Sequence, residues 1–274
     1  MIIMKSILQI AIYGLGFYGL IVVAMYFFQE KMMFFPGGAG FGKCRAMEVS
    51  GARAVQADGV RYYLREQEGA EFWLVVFHGN AGNACDRTYF FNLFRDFKAN
   101  MVVLEYPGYG DDPARPGEKA FCDGAVKLVS HLRKNDRDNR PVFLVGESIG
   151  TGAATWAATQ GGVDGLILIS AYTSLADVAQ AHYFWLPVKM LMRHPFRADL
   201  WAGETDTPAI LFHGVKDDII PIKFARQQVN NFKGQAELVE IPNCGHNDIV
   251  DAGEGVIREK VGAFIKALGV VQGN

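Results

Sequence analysis

Gly146-Glu147-Ser148-Ile149-Gly150 decides how the rest of this chain is read. Ahead of it stands Pro141-Val142-Phe143-Leu144-Val145, a short apolar run that predicts a buried strand. Behind it the small residues from Thr151 to Ala158 predict a helix. Strand, G-x-S-x-G and helix in that order form the context of a nucleophile elbow. Such a turn forces the serine into a strained backbone, and glycines two residues to either side let strand and helix pass without Cβ clashes. The Ser148 hydroxyl then stands at a helix N-terminus, where free N–H groups and the helix dipole favour developing negative charge. The pentapeptide alone is common in plain turns, so the flanking strand and helix carry the reading.

Working outward, Val60 to Arg65 and Phe72 to Phe77 read as strands joined by the turn Gln67-Glu68-Gly69-Ala70, an expected antiparallel pair at the sheet edge. Further strands are expected at Met101–Leu104, Gly165–Ile169, Ala209–Phe212 and Glu237–Ile241. Helices are expected from about Asp86 to Phe97, from Glu118 to Arg133, and from about Lys223 and Glu254. Continuous apolar strands alternating with helices predict an α/β fold: a mostly parallel sheet covered on both faces, with its chemistry at the carboxyl ends of the strands.

Three polar stretches fall at those ends. His78-Gly79-Asn80-Ala81-Gly82-Asn83 follows the Phe72–Phe77 strand, and the N–H of Asn80 with that of Ile149 would make an oxyanion hole. The Asn80 side chain is an alternative donor, and an ordinary turn is the plainer reading. His78 precedes the serine and is expected to support the loop. Asp217 and Asp218 compete as the carboxylate after Ala209–Phe212, and His246 follows the last strand as a general base. Among six histidines, His246 is the one that comes after both Ser148 and an acid at strand ends, in the order Ser, Asp, His.

With these stretches in hand, the chain resembles the α/β-hydrolase superfamily. More narrowly it is similar to membrane-anchored serine hydrolases of the Bem46 and ABHD13/ABHD17 type, also grouped as serine aminopeptidase-like hydrolases. The matching residues are His78 to Asn83, Tyr106-Pro107-Gly108-Tyr109-Gly110, Gly146 to Gly150, Ala171 to Leu175, Gly214 to Pro221 and Gly245-His246-Asn247-Asp248. The resemblance runs from about Phe34 to Leu268. It implies the α/β-hydrolase fold, places the acid at Asp217 rather than Asp218, and puts the oxyanion loop at Asn80. Asp111 to Glu118 departs from the family's usual Ser-x-Gly-x-Pro-Ser-Glu, so no substrate transfers directly from relatives.

The N-terminal stretch is a different material. No charged residue occurs from Ser6 to Gln29, and Ile7 to Phe28 is almost wholly apolar or glycine. Such a helix reaches roughly 30 Å, the thickness of a bilayer core. Val22-Val23-Ala24 would suit a signal-peptide cleavage, but the apolar run continues past it, so a single-pass anchor is expected. The division is therefore 1–30 for the anchor and 31–274 for the catalytic domain, with a short apolar insertion at about 172–201. The charges flanking the span favour a cytoplasmic domain by the positive-inside rule, whereas the family resemblance favours the opposite side.

The net charge of −2 gives no reason to expect nucleic acid. Cys44, Cys85, Cys122 and Cys244 include no C-x-x-C pair, are expected to be buried free thiols, and offer no metal site. No cofactor is implied. The expected chemistry is hydrolysis of an ester or thioester of a lipid-like acyl group, with peptidase activity second and a catalytically silent binding module third.

Overall fold

The computed structural model describes residues 2–270, so residue 1 of the expected anchor and residues 271–274 of the expected domain lie outside the described part. Eight strands form the main sheet: β1 Arg53–Ala57, β2 Val60–Arg65, β3 Phe72–Phe77, β4 Ala99–Glu105, β5 Val142–Glu147, β6 Gly165–Ile169, β7 Ala209–Gly214 and β8 Ala236–Ile241. Their order across the sheet is β8-β7-β6-β5-β3-β4-β2-β1. All neighbours run parallel except β1 with β2 and β2 with β4.

The period of two along each central strand sends alternate side chains to opposite faces. Trp73, Val75, Phe77, Leu144 and Leu168 pack into one core, which holds Phe121 and Leu128 of helix Glu118–Asn135 and Ala153 and Ala157 of helix Ile149–Thr159. Leu74, Val76, Val145, Ile167 and Phe212 pack into the other, with Phe90 and Phe94 and with Ile257, Val261 and Ile265 of helix Ile249–Ala267. Both faces are thus covered, as continuous apolar strands require.

Three expectations need correction. Val60–Arg65 does not pair with Phe72–Phe77. It pairs with β4, Arg61 opposite Glu105, and on its other side with β1, Ala57 opposite Val60. The physical reason is that β3 is buried at every residue and takes parallel neighbours on both sides, β4 and β5, leaving no edge for β2. The hairpin signal lay elsewhere, in Asp58-Gly59, whose φ values of 49° and 76° make the left-handed two-residue turn that joins twisted antiparallel strands. The single helix expected at 86–97 is a 3-10 turn, Ala84–Arg87, followed by a short helix, Tyr89–Leu93.

The third correction concerns the cysteines. Cys122 and Cys244 are free and buried, but Cys44 and Cys85 form a disulfide with Cα atoms 5.7 Å apart. A separation of 41 residues hides this pairing in the sequence. It is the fold that brings the two segments together, through the parallel bridge of Phe35–Pro36 with Ala81–Gly82. Closing a loop of that length restricts the unfolded chain, so Cys44→Ser should lower the stability of the folded domain by about 4 kcal/mol. Denaturant unfolding of wild type and variant checks this, and an unchanged midpoint would mean that the bond does not form.

The N-terminal helix, α1, spans Ile2–Met33. Among the described residues it is the helix long and apolar enough to cross a membrane, and its most apolar window is not buried in the protein. Between β6 and β7 the insertion folds as three short helices: α2 Leu175–His182, α3 Val188–Leu191 and α4 Ala198–Ala202.

Candidate active site

The site begins with backbone sterics at the turn between β5 and the Ile149–Thr159 helix. Ser148 has φ 52° and ψ −121°, a left-handed region that costs a non-glycine residue roughly 1–3 kcal/mol. A Cβ on Gly146 would come within 2.7 Å of Thr151 Cα, and one on Gly150 within 2.0 Å of the Phe77 carbonyl oxygen. Only glycine fits at either place, so the two glycines are needed for the close crossing of strand, turn and helix. Ile149 opens the helix, and its N–H has no carbonyl four residues back within that helix.

The side chains expected at three different strand ends meet here. Ser148 Oγ lies 3.0 Å from His246 Nε2, and His246 Nδ1 lies 2.7 Å from Asp217 Oδ2. The other carboxylate oxygen of Asp217 accepts hydrogen bonds from the N–H groups of Ile219 and Ile220, at 3.0 and 2.7 Å. Burial alone would raise the Asp217 pKa. Hydrogen bonds from His213 and His246, joined by the Ile220 N–H, outweigh it and hold the carboxyl well below the usual range. Asp218 is exposed at the pocket rim and takes no part in this chain of hydrogen bonds. The two aspartates compete in the sequence; in space they do not.

His213 went unassigned in the sequence reading. It is fully buried at the end of β7, with Nε2 2.7 Å from the Ile220 carbonyl and 3.3 Å from Asp217 Oδ2. Both neighbours are acceptors, so Nε2 carries the proton and His213 is a second imidazole donor at the Asp217 carboxylate. The one sequence signal was its position, directly ahead of Gly214 at the end of a strand.

The loop after β3 is held from several sides. Tyr106 donates to the His78 carbonyl at 3.2 Å, and the Tyr109 hydroxyl lies 2.9 Å from the Asn80 carbonyl and 3.0 Å from its Oδ1. The Asn80 side-chain amide donates to the Met33 carbonyl at the end of α1. That bond occupies the side chain as a loop tether and favours the backbone N–H as the group free for a ligand. His78 is buried with Nδ1 2.7 Å from the Gly79 carbonyl, and burial, with the nearby Arg87, pushes its pKa down to about 3. A neutral, walled-in imidazole supports the loop and cannot reach Ser148.

Glu147, the variable residue ahead of the serine, was also missed. Its carboxylate accepts from the Gly79 N–H at 2.9 Å, from Arg87 Nε at 3.0 Å and from the Tyr89 hydroxyl. It therefore ties the serine turn to the Asn80 loop, and Arg87 compensates its charge. Of the remaining histidines, His131 bridges Asp58 and Tyr62, His194 Nδ1 accepts from the Glu118 N–H at 3.3 Å, and His182, on the lining of the Ser148 pocket, lies 2.9 Å from the Ile219 carbonyl.

Ser148 and His246 open onto a pocket of about 860 Å³. The rest of its wall is mostly apolar, with Met32 and Met33 from the end of α1, Phe35 from the bridge that follows it, and Leu175, Val178 and Met192 from the insertion. No group of three or more His, Cys, Asp or Glu side chains suited to a metal occurs among the described residues. An acceptor-oriented imidazole beside a hydroxyl, with N–H groups nearby, is chemically equipped for proton abstraction and attack on a carbonyl.

This sheet order, with its serine turn and histidine loop at the carboxyl ends of the strands, defines the α/β-hydrolase fold. No protein-family model matches the chain. It is similar to an uncharacterized protein of Mycobacterium tuberculosis, 27% identical over 227 residues that cover 80% of this chain and 81% of that protein. It is similar also to the lysophosphatidylserine lipase ABHD12 of Danio rerio, 21% identical over 210 residues, 69% of this chain and 55% of that lipase. Among solved structures, an esterase of Pyrococcus furiosus superposes with a TM-score of 0.66 at 14% identity, covering 86% of this chain and 97% of that one. At that identity the likeness is one of fold.

Proposed function

We propose that this chain is a membrane-anchored serine hydrolase that cleaves an ester or thioester of an apolar acyl group. The observation that carries the reading is the continuous hydrogen-bonded chain Ser148, His246, Asp217, opening into a pocket with a largely apolar wall. His246 Nε2 takes the hydroxyl proton as Ser148 Oγ attacks the acyl carbon. The Nδ1–H of the imidazolium donates to Asp217, and the N–H groups of Ile149 and Asn80 bind the oxyanion. His246 then passes its proton to the departing alcohol or thiol, leaving the acyl group on Ser148. Water, deprotonated by the same imidazole, attacks the acyl-enzyme and releases the acid. No metal or organic cofactor enters these steps.

Residues 1–30 serve as the anchor and 31–274 as the catalytic domain with its short insertion. A retained anchor is supported by the contacts α1 makes near its end, where Gln29 Oε1 accepts from the Arg193 N–H at 2.7 Å and Met33 from Asn80. The resemblance to Bem46 and ABHD13/ABHD17 hydrolases fits this plan. The Cys44–Cys85 disulfide adds a side: such bonds persist in oxidising compartments, so the domain faces away from the cytosol despite the flanking lysines.

Amide hydrolysis is the second reading, because Asp218 and Asp251 at the pocket lining would attract an amine. A panel of acyl esters, acyl thioesters and aminoacyl amides, assayed on the purified full-length protein, separates the two. Preference for long acyl esters or thioesters is expected. Preference for aminoacyl amides would replace the reading, and inactivity on all three together with no labelling by a fluorophosphonate would remove it.

A further inference from the structure

Helix α1 does not stand clear of the insertion. Trp185 approaches Tyr18, ring centroids 6.3 Å apart, and the Tyr18 hydroxyl donates to the Trp185 carbonyl at 2.9 Å. Tyr18 is near the middle of the apolar run, ten residues before its end at Phe28. At the rise of an α-helix that is roughly 15 Å, or one leaflet of a bilayer core. The insertion segment 183–192 therefore runs beside the span to about mid-depth. Its outer side chains include Phe184, 80% exposed, and Met190, 86% exposed, while the ammonium of Lys189 on the same segment pairs with Asp177.

Irregular backbone at that depth requires internal partners for its carbonyls, and side chains supply them to four carbonyls of the segment. Tyr18 serves Trp185, Gln29 serves Leu191 at 3.2 Å, and Gln180 serves Tyr183 and Leu186 at 3.2 and 2.9 Å. Between α1 and the insertion is a cavity of about 180 Å³, lined by Val22, Met25 and Tyr26 on one side and Leu186, Val188 and Leu191 on the other. Met32, Met33, Ala179, Tyr183 and Met192 line both this cavity and the Ser148 pocket, so the two adjoin. Methionine-rich walls adapt to a flexible chain.

We propose that segment 183–192 dips into the leaflet beside α1 and that the groove between them takes one acyl chain of a bilayer lipid ester, leading it sideways from the membrane to Ser148. This rests on the serine-hydrolase reading above. An acyl chain is the occupant because one end of the groove adjoins the pocket of the candidate nucleophile and the other lies against membrane-exposed apolar surface. The lipid then reaches the site without crossing water.

The test uses full-length protein in phosphatidylcholine vesicles, with Val22→Trp and Val188→Trp filling the groove from opposite walls. Each is assayed on p-nitrophenyl acetate and p-nitrophenyl palmitate. Loss of several methylenes from apolar contact should lower the palmitate-to-acetate ratio of kcat/KM by roughly tenfold or more in both variants. The acetate rate reports folding and the chemistry, so two variants protect against a local packing failure. A ratio equal to wild type in variants active on acetate overturns the groove and leaves the hydrolase reading standing. Wild-type protein inactive on both esters overturns the hydrolase reading, and the groove's role in delivery with it.

Discussion

Ser148→Ala should abolish turnover, by roughly 10⁶-fold in kcat where a triad acts as a unit, and should leave the fold unchanged. The substitution removes one hydroxyl whose hydrogen-bond partner is His246 Nε2. It keeps the Cβ and therefore the same left-handed backbone at φ 52°. Nothing in the turn's steric requirements changes, because those are carried by Gly146 and Gly150. Residual rate over water would come from the Ile149 and Asn80 N–H groups and from binding. The measurements are steady-state hydrolysis of a short ester and thermal unfolding of the same preparation. Wild-type hydrolysis by a folded variant would remove Ser148 from the mechanism.

Asp217→Asn should cost on the order of 10⁴ in kcat, the loss seen when the orienting carboxylate of a triad becomes an amide. The carboxylate sits where four donors converge: His246 Nδ1, His213 Nε2 and the N–H groups of Ile219 and Ile220. An amide presents an N–H to at least one of them. If that N–H turns to His246, the imidazole must adopt the tautomer whose Nε2 already carries a proton and cannot accept from Ser148. Asp218→Asn touches none of these donors and should change kcat by no more than about threefold, a surface charge effect. If the two effects came out reversed, the acid would be Asp218 and the hydrogen-bond chain drawn above would be wrong.

Much of the site was legible because its parts are local. A strand, two glycines around a serine and a small-residue helix specify a steep turn from backbone sterics alone, and Ser148 follows from that. Strand ends were legible because β3, β5, β6 and β7 are buried along their lengths and read as unbroken apolar runs. The residues that were missed are those whose role depends on a distant neighbour. Glu147 looks like a filler within G-x-S-x-G until Arg87 and Tyr89 are beside it. His213 looks like a strand-end histidine until the Asp217 carboxylate is seen within 3.3 Å.

By itself the sequence determined the fold class, the apolar span at the N-terminus, and the chain order of serine, acid and histidine. Each of these rests on periodicity or on short-range stereochemistry, which a few consecutive residues encode. Only the tertiary structure decided that β2 lies against β4, that Cys44 meets Cys85, and that α1 shares a wall with the Ser148 pocket. Those outcomes depend on packing between segments tens to hundreds of residues apart, where a loop of any sequence can close the distance at a cost that grows only slowly with its length.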